Sequence, residues 1–307
     1  MADLGTSAEH GIDLTNKDMP LDYYMVDQNW DQFTSEEHGT WGLLYERMRN
    51  MLPGYACKEY LKGLDDLDIS KDEIPDFRRM SERLKSLTGW EVVAVPGMIP
   101  DKPFFKMLAN RQFPSGDFIR PRASMDYIKE PDVFHDGFGH VPLLSNPVFA
   151  DYMQAYGEAG QKAMDHKCVN RLLRLYWFTV EFGLIQTDEG IRIYGAGILS
   201  SSTESKFALK DDSPNRLKFD VERIMRTKYK YDDLQQTYFV IDSFEQLFKD
   251  TAEADFTPLY EGLLQKPQFE AAEITADDVV LHKGTGAYAK EKAAQEKLKQ
   301  AQEGADA

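Results

Sequence analysis

Residues Glu130–Pro142 read EPDVFHDGFGHVP and contain two histidines, His135 and His140, five positions apart. The whole chain has only six histidines, so a close pair of them stands out. On an ideal α-helix, five residues correspond to a rotation of about 140°, which would make the two imidazoles diverge. Gly137, Gly139 and Pro142 in the same segment disfavour an ideal helix and allow the backbone to bring the rings together. The segment therefore indicates a metal site, with two hydrogen-bonded histidines at a helix start as the alternative.

A third metal ligand is expected in the apolar segment Leu172–Ile185, which reads LLRLYWFTVEFGLI. If this segment is helical, Glu181 shares a face with Trp177, four residues earlier. A carboxylate on an apolar face is costly unless an opposite charge compensates it. A divalent cation would provide that charge, and so would Arg174 or Arg192. The residues alone leave both possibilities open.

Two neutral imidazoles and one carboxylate form a donor set with a chemical meaning. They hold Fe(II) on one face and leave the opposite coordination positions open for oxygen and substrate. Zinc with the same donors would favour a hydrolase. The zinc-protease pattern, however, needs histidines at i and i+4 with a glutamate beside the first, and Glu130–Pro142 has neither feature.

The chain has 307 residues, is 42% hydrophobic and has a net charge of −16. This composition is typical of a globular protein. Such an acidic surface repels phosphate backbones and anionic membranes, so nucleic acid and membrane partners are not expected. The sequence has no apolar run of 18 residues and no secretory signal at its N-terminus. Cys57 and Cys168 are too few for a disulfide framework, so we expect a reducing, cytoplasmic location.

Apolar residues at helical spacing predict mostly helices, and β-like runs predict only a few short strands. Residues 96–131, rich in Pro, Gly, Asp and Asn, predict a long loop with at most short elements. The predicted segments are helices around 41–48, 60–64, 77–87, 147–156, 169–186, 216–228 and 243–250, and strands at 91–95 and 191–194. Residues 1–18 are expected to be a flexible tail, residues 19–283 one domain, and residues 284–307 a charged helix or tail. That last segment has no heptad seam, so we expect a monomer.

Three blocks of this sequence closely resemble the pterin-dependent aromatic amino acid hydroxylases. They are Glu130–Leu144, Tyr176–Leu184 (YWFTVEFGL) and Tyr194–Ser201 (YGAGILSS), and their order and spacing match. A looser similarity extends from about Val92 to Tyr260. The resemblance implies a single catalytic domain of that type, mostly α with a few short β-strands. The short form of the chain is similar to the bacterial members.

The activity implied by the resemblance is hydroxylation of L-phenylalanine to L-tyrosine. Its cofactors are Fe(II) and tetrahydrobiopterin or a related tetrahydropterin, with O2 as co-substrate, and its partners are small molecules. Tryptophan or tyrosine as the substrate is the alternative within the family. A zinc hydrolase, or a module that only binds aromatic amino acids, are the alternatives outside it.

The resemblance also implies roles for individual residues. His135, His140 and Glu181 become the catalytic iron ligands, and Ser200 bonds a ligand histidine and borders the substrate. Arg120 binds the substrate carboxylate, with a surface salt bridge as the alternative. The amino acid pocket is expected to contain Tyr127, Trp177, Phe182 and Gly197, and the pterin site Gly97, Ile99, Phe104 and Tyr176, with core packing as the alternative for Trp177 and Phe104.

The sequence departs from the animal members at two places. Asp136 stands where they have glutamate after the first ligand histidine, and it is one methylene shorter, so its contact with the pterin is expected to run through water. Ile128-Lys129 stands where they have Thr-Pro, and isoleucine cannot donate the hydrogen bond of a threonine.

Overall fold

The computed structural model describes residues 6–7, 12–126, 130–253 and 256–305. Its α-helices are α1 (Ser35–Met51), α2 (Lys58–Asp66), α3 (Phe77–Leu87), α4 (Asp101–Ala109), α5 (Pro147–Asp165), α6 (Val169–Tyr176), α7 (Ala196–Leu199), α8 (Ser202–Lys210), α9 (Val221–Arg226), α10 (Phe244–Thr251), α11 (Thr257–Leu263) and α12 (Ala287–Ala305). Its β-strands are β1 (Thr6–Ser7), β2 (Ile12–Asp13), β3 (Glu91–Val95), β4 (Gln112–Gly116), β5 (Leu184–Thr187), β6 (Gly190–Ile193), β7 (Asn215–Lys218), β8 (Thr237–Ile241) and β9 (Val280–His282). Helices dominate and the strands are short, so the predicted fold class is confirmed. The domain boundaries at 18/19 and 283/284 stay predictions.

Several helices begin where the sequence supplies a capping side chain. Thr34 caps α1 in a capping box with Glu37. Asp76 caps α3 by accepting a hydrogen bond from the Arg78 N–H. Asn146 caps α5 by accepting hydrogen bonds from the N–H groups of Val148 and Phe149, which follow Pro147. These caps satisfy backbone donors that would otherwise have no intrahelical partner.

The strands form small sheets rather than one large layer. β3 and β4 pair in parallel, and a mixed sheet has the order β6-β5-β8-β7-β9. In that sheet β5 and β6 form an antiparallel hairpin, in which Leu184 pairs with Ile193. The hairpin leads the chain from Glu181 back to Gly195, so both of its ends lie at the same place in the fold.

Helices α4 and α5 pack unusually closely because α5 has glycines at the contact. A Cβ on Gly160 would lie 2.0 Å from the Phe105 ring, and one on Gly157 would lie 2.4 Å from the Ala109 nitrogen. This crossing packs α4 directly on α5.

None of the described helices has the length and apolarity needed to cross a membrane.

For residues 96–131 the sequence predicted a long loop with at most short elements, which underestimates the regular structure of this segment. The segment contains α4 and β4, in addition to turns. Pro103 is tolerated in the first turn of α4, and Phe105, Met107 and Leu108 bury its inner side, so burial outweighs the local turn-forming composition. The helix expected over 169–186 is also shorter than predicted, because Leu184–Thr187 pairs as β5.

Candidate metal centre

The two histidines lie in a π-helical segment, Phe134–His140, and not in a regular α-helix. The Val141 N–H bonds to the carbonyl of Asp136, five residues earlier. A turn closed by an i to i+5 bond places residues five apart one above the other, which an α-helix does not. The spacing of His135 and His140 therefore matches one π-turn, and their ring centroids lie 4.9 Å apart.

Glu181 ends a second π-helical segment, Trp177–Glu181, which continues α6. The Phe182 N–H bonds to the Trp177 carbonyl at 2.8 Å, again five residues back. Single π-turns inside helices are frequent at functional sites, and they redirect side chains without ending the helix. Here the turn directs the Glu181 carboxylate to the two imidazoles.

The three side chains converge on one point. His140 Nε2 lies 3.1 Å from one Glu181 carboxylate oxygen, and His135 Nε2 lies 3.5 Å from the other. The two Nε2 atoms are 3.1 Å apart. Donors that bind one ion at about 2.1 Å and at right angles lie about 3 Å from each other. These distances therefore fit a single divalent ion held on one side, although the ligand roles themselves stay a prediction.

The hydrogen bonds of Ser200 determine which nitrogen of His135 faces this cluster as an acceptor. The Ser200 hydroxyl donates to the Ala196 carbonyl at 2.8 Å and lies 3.1 Å from His135 Nδ1. Because the hydroxyl proton is used on the carbonyl, Ser200 accepts from Nδ1–H. The neutral ring then has a free lone pair on Nε2, which is the form that a metal ligand needs.

The charges of the cluster also fit a cation. Burial alone would raise the pKa of the Glu181 carboxyl, but the adjacent His140 and His135 rings outweigh it and hold the pKa well below its ordinary value. Burial opposes protonation of His135, yet Glu181 outweighs burial and raises the pKa of that ring. An anionic carboxylate inside the protein needs positive charge beside it, and a divalent ion bound by unprotonated rings supplies that charge.

Neither arginine that the sequence offered as a counter-ion for Glu181 has that role. Arg174 donates to the Met225 carbonyl at 3.4 Å and also bonds Gln268. Arg192 pairs with Glu189 at 3.1 Å. Of the two readings of the acidic residue, only the metal-binding one agrees with these contacts.

Glycines next to the cluster keep its backbone close. A Cβ on Gly195 would lie 2.4 Å from the Gly183 nitrogen and 2.5 Å from the Glu181 carbonyl. A Cβ on Gly139 would lie 2.9 Å from the Ala196 carbonyl. These positions accept no side chain, so the segments that contain the histidines, the glutamate and Ser200 can pack directly on one another.

Arg120 is buried and paired, so the alternative of a surface salt bridge is wrong. Its Nε and Nη2 atoms bond the two oxygens of Asp132 at 2.8 and 2.7 Å. Asp132 is 0% exposed and also accepts the His135 backbone N–H at 3.0 Å. The sequence analysis missed Asp132, although its place in the EPD block just before His135 was a usable signal. The role of Arg120 toward a substrate carboxylate stays a prediction.

The residues expected to form the amino acid pocket lie together where the structure describes them. The Trp177 and Phe182 rings are 4.6 Å apart, and a Cβ on Gly197 would lie 3.0 Å from the Phe182 ring. Tyr229, which the sequence analysis missed, stacks on Trp177 at 4.2 Å with 16° between the planes. Nothing local in the sequence around Tyr229 indicated this contact. Tyr127, Ile128 and Lys129 lie outside the described residues.

Two of the expected pterin residues are neighbours of the cluster. The Phe104 and Tyr176 rings make an edge contact at 5.6 Å, and Tyr176 stacks on His140 at 6.1 Å. Gly97, with a φ of +138°, and Ile99 lie in the turn between β3 and α4. Gly97 thus has a backbone conformation that other residues rarely adopt.

The Asp136 side chain is hydrogen-bonded to the neighbouring strand β4. The carboxyl of Asp136 is buried and accepts the Gly116 N–H at 2.8 Å. Burial raises the pKa of Asp136 above its ordinary value, against the opposing effect of His135. Its expected water-mediated contact with the pterin stays a prediction.

Two imidazoles and a carboxylate at such distances are the donor set of mononuclear non-haem iron oxygenases. The sequence profile of the family described as biopterin-dependent aromatic amino acid hydroxylase matches residues 19–258. The chain belongs to this family. It is therefore an enzyme with a biopterin-dependent hydroxylase domain, and the resemblance seen in the sequence is confirmed.

Bacterial phenylalanine-4-hydroxylases are similar to this chain over most of their length. Phenylalanine-4-hydroxylase of Caulobacter vibrioides is 57% identical over 266 residues, which cover 87% of this chain and 90% of that protein. The relative from Chromobacterium violaceum is 52% identical over 261 residues, covering 85% and 88%. The crystal structure of the latter enzyme with iron and phenylalanine bound has a TM-score of 0.81 at 53% identity, and covers 84% of this chain and 94% of that one. Its cobalt-bound structure has a TM-score of 0.83 at 52% identity, with 84% and 93% covered.

Proposed function

We propose that this enzyme is a phenylalanine 4-hydroxylase that converts L-phenylalanine to L-tyrosine with Fe(II), tetrahydrobiopterin and O2. The observation that supports it most is the convergence of His135, His140 and Glu181 beside an aromatic pocket. The relatives named above, which are phenylalanine-4-hydroxylases, support the choice of substrate. The wide wall formed by Trp177 and Phe182 suits a flat ring held on its face or edge.

Each group of side chains then has a distinct task. His135, His140 and Glu181 hold the iron on one face and leave the other face open. Arg120, held in place by Asp132, binds the carboxylate of the amino acid through its guanidinium. Trp177 and the residues around it orient the ring and exclude water.

The pterin site is proposed next to the iron ligands. Phe104 and Tyr176 offer aromatic surface for the pterin ring, and the backbone at Gly97 and Ile99 offers groups for its edge. Iron and the pterin, when bound, supply the oxygen activation and the two electrons that hydroxylation requires, and the protein contributes binding and orientation. The products would be tyrosine, which carries one oxygen atom, and a hydroxylated pterin, which carries the other and has given up two electrons.

The direct test is to incubate the protein with Fe(II), tetrahydrobiopterin, oxygen and phenylalanine, and to look for tyrosine. Competition with tryptophan and tyrosine separates the substrate alternatives within the family. His135→Ala and Glu181→Ala should each lose iron and hydroxylation together. Full iron content and turnover in either variant would refute the ligand assignment. Metal analysis of protein purified anaerobically, together with a strict need for the pterin, separates the hydroxylase from a zinc hydrolase.

We also infer a monomer in the cytoplasm. The charged C-terminal segment has one large aliphatic residue, Leu298, and so no seam for helix pairing. The two cysteines, too few for a disulfide framework, suit a reducing compartment. Light scattering on the purified protein tests the first inference, and cell fractionation tests the second.

A further inference from the structure

The indole ring of Trp177 contacts two aromatic rings and one hydrogen-bond acceptor. Tyr229 stacks on it at 4.2 Å, and the tilted ring of Phe182 lies 4.6 Å away, both measured between ring centroids. Its Nε1–H donates to the side-chain oxygen of Gln235 at 2.9 Å. Stacking restricts the tilt of a ring but lets it slide and rotate in its own plane. The hydrogen bond to Gln235 is therefore the contact that fixes the in-plane position of the indole.

The amide of Gln235 can adopt only one orientation. Its Nε2 donates to the carbonyls of Lys230 and Asp233 at 2.8 and 2.9 Å, and these partners only accept. The indole N–H of Trp177 only donates, so the amide oxygen must face it. Every polar atom of this side chain has a partner, and Gln235 is 3% exposed. A flipped amide would leave buried donors and acceptors unpaired.

The backbone of Gln235 is anchored as well. Its N–H donates at 3.2 Å to the Glu204 carboxylate, which also accepts from the Tyr238 hydroxyl. Glu204 and Tyr238 are both buried. Glu204 belongs to α8, which begins two residues after Ser200, the partner of His135. The side of the pocket formed by Trp177 is thus connected to the segment that orients a ligand histidine.

We propose that Gln235 is a positioning residue that sets the place of Trp177 in the amino acid pocket, and through it the place of the substrate ring. This inference rests on the proposed function, because it assumes that Trp177 contacts the substrate. The hydrogen-bond partners of Gln235 are Trp177 and three residues that are not proposed metal ligands, Glu204, Lys230 and Asp233. Its loss should weaken binding of the aromatic substrate more than it changes the rate at saturation.

Gln235→Met removes the acceptor at nearly constant volume. In the zinc-loaded full chain, which is diamagnetic, the Trp177 indole N–H resonance should move upfield as its hydrogen bond is lost. The chain has four tryptophans, and the resonance missing from Trp177→Phe identifies the one from Trp177. In the iron-loaded enzyme, KM for phenylalanine should rise about five- to tenfold with kcat within about twofold, as expected for one lost hydrogen bond.

Gln235→Glu is the conservative companion variant. It retains an acceptor for the indole but loses both donors to the Lys230 and Asp233 carbonyls. Because a carboxylate accepts more strongly, the Trp177 resonance should move downfield, opposite to its direction in Gln235→Met. If Gln235→Met does not fold, an unmoved resonance in Gln235→Glu would by itself overturn the proposal.

A double variant separates positioning from a general structural role. In the Trp177→Phe background the indole N–H is absent, so adding Gln235→Met should change KM less than twofold. An equal effect of Gln235→Met in both backgrounds would overturn the proposal. Gln154→Met is the matched control, because Gln154 likewise bonds a donor and a carbonyl, Arg111 and Ala109, away from the pocket, and it should leave KM and the resonance unchanged.

The resonance is measured without turnover. Absence of phenylalanine hydroxylation by the wild-type enzyme would refute the proposed function alone. An unchanged resonance and an unchanged KM in Gln235→Met, in an enzyme that does hydroxylate phenylalanine, would refute the role of Gln235 alone.

Discussion

The Asp132 carboxylate accepts two hydrogen bonds from the Arg120 guanidinium, at 2.8 and 2.7 Å, and a third from the backbone N–H of His135 at 3.0 Å. A single buried carboxylate therefore joins the proposed substrate-binding guanidinium to a proposed iron ligand. Since the fork of Arg120 is held by two bonds, its orientation is set before any amino acid binds. Substrate and metal sites built on one residue should also fail together when that residue is changed.

Asp132→Asn should lower the free energy of unfolding by about 3 kcal/mol, because Arg120 stays buried without its counter-charge. The same variant should raise KM for phenylalanine, since an amide nitrogen now opposes the guanidinium. Urea denaturation and steady-state kinetics measure the two effects.

The control for Asp132→Asn is Asp68→Asn. Asp68 pairs with Arg83 at 2.9 Å, but the two side chains are 75% and 47% exposed. Removing such a pair should change stability by no more than about 0.5 kcal/mol. Equal effects of the two substitutions would show that burial of the Asp132 pair has no energetic consequence.

Ser200→Ala should weaken Fe(II) binding about 10- to 100-fold, because the partner that fixes the tautomer and orientation of His135 is removed. Competition with a chelator of known affinity measures this change. Ser202→Ala, two residues further along at the start of α8, is the control and should bind iron as the wild type does. Wild-type affinity in Ser200→Ala would show that the tautomer of His135 is set without Ser200.

The helices that pack through one apolar stripe could be predicted from the sequence. Helix α3 is an example: Asp76 caps it, Met80 and Leu84 are buried, and Gly89, with a φ of +78°, follows it. Helix α4 could not be predicted, because the prolines and polar residues around it are typical of turns. Helix α4 is stabilised by packing against the glycines of α5, and such a contact between separate segments leaves no pattern in the local sequence.

The donor set of the site could be proposed from residue types, but its geometry could not. In a regular α-helix, a spacing of five residues would make the side chains of His135 and His140 diverge, so the spacing alone did not predict that they meet. The π-turns that end at His140 and Glu181 depend on tertiary packing around Gly139 and Gly195. Tyr229 and Gln235 were missed for a similar reason, because their partners Trp177 and Glu204 are distant in the sequence.

Gly183→Ala should destabilise the protein by about 3 kcal/mol and reduce its iron content, because the added methyl would lie 2.2 Å from the Tyr194 ring and 2.3 Å from the Thr179 carbonyl. The residue lies two positions after Glu181, so relief of the clash must move that ligand's segment. Thermal unfolding and metal analysis measure the two effects. Gly39→Ala is the control. Gly39 lies exposed in α1, and beyond the backbone of its own helix no atom lies within 4 Å of the new methyl, so the variant should gain up to about 1 kcal/mol in helix stability.

Glu204 should make the stability of the protein depend on pH. Burial raises the pKa of its carboxyl from 4.5 to about 7, although hydrogen bonds from Tyr238 and Gln235 act against the rise. Between these two pH values the folded protein keeps a proton that the unfolded chain has lost. Below pH 4.5 the carboxyl is protonated in both states, so its burial leaves the free energy of unfolding unchanged. As the pH rises from 4.5 through 7, the free energy of unfolding falls. At about 1.4 kcal/mol per pH unit, the loss adds up to about 3 kcal/mol.

Glu204→Gln should remove this dependence, because the amide cannot ionise and its oxygen still accepts from Gln235 and Tyr238. Other titrating groups affect both proteins alike, so the informative quantity is the free energy of unfolding of the variant minus that of the wild type. This difference should grow in favour of the variant between pH 5 and pH 8, as measured by urea denaturation at a series of pH values. A difference that stays constant over that range would mean that the Glu204 carboxyl does not titrate there in the folded protein.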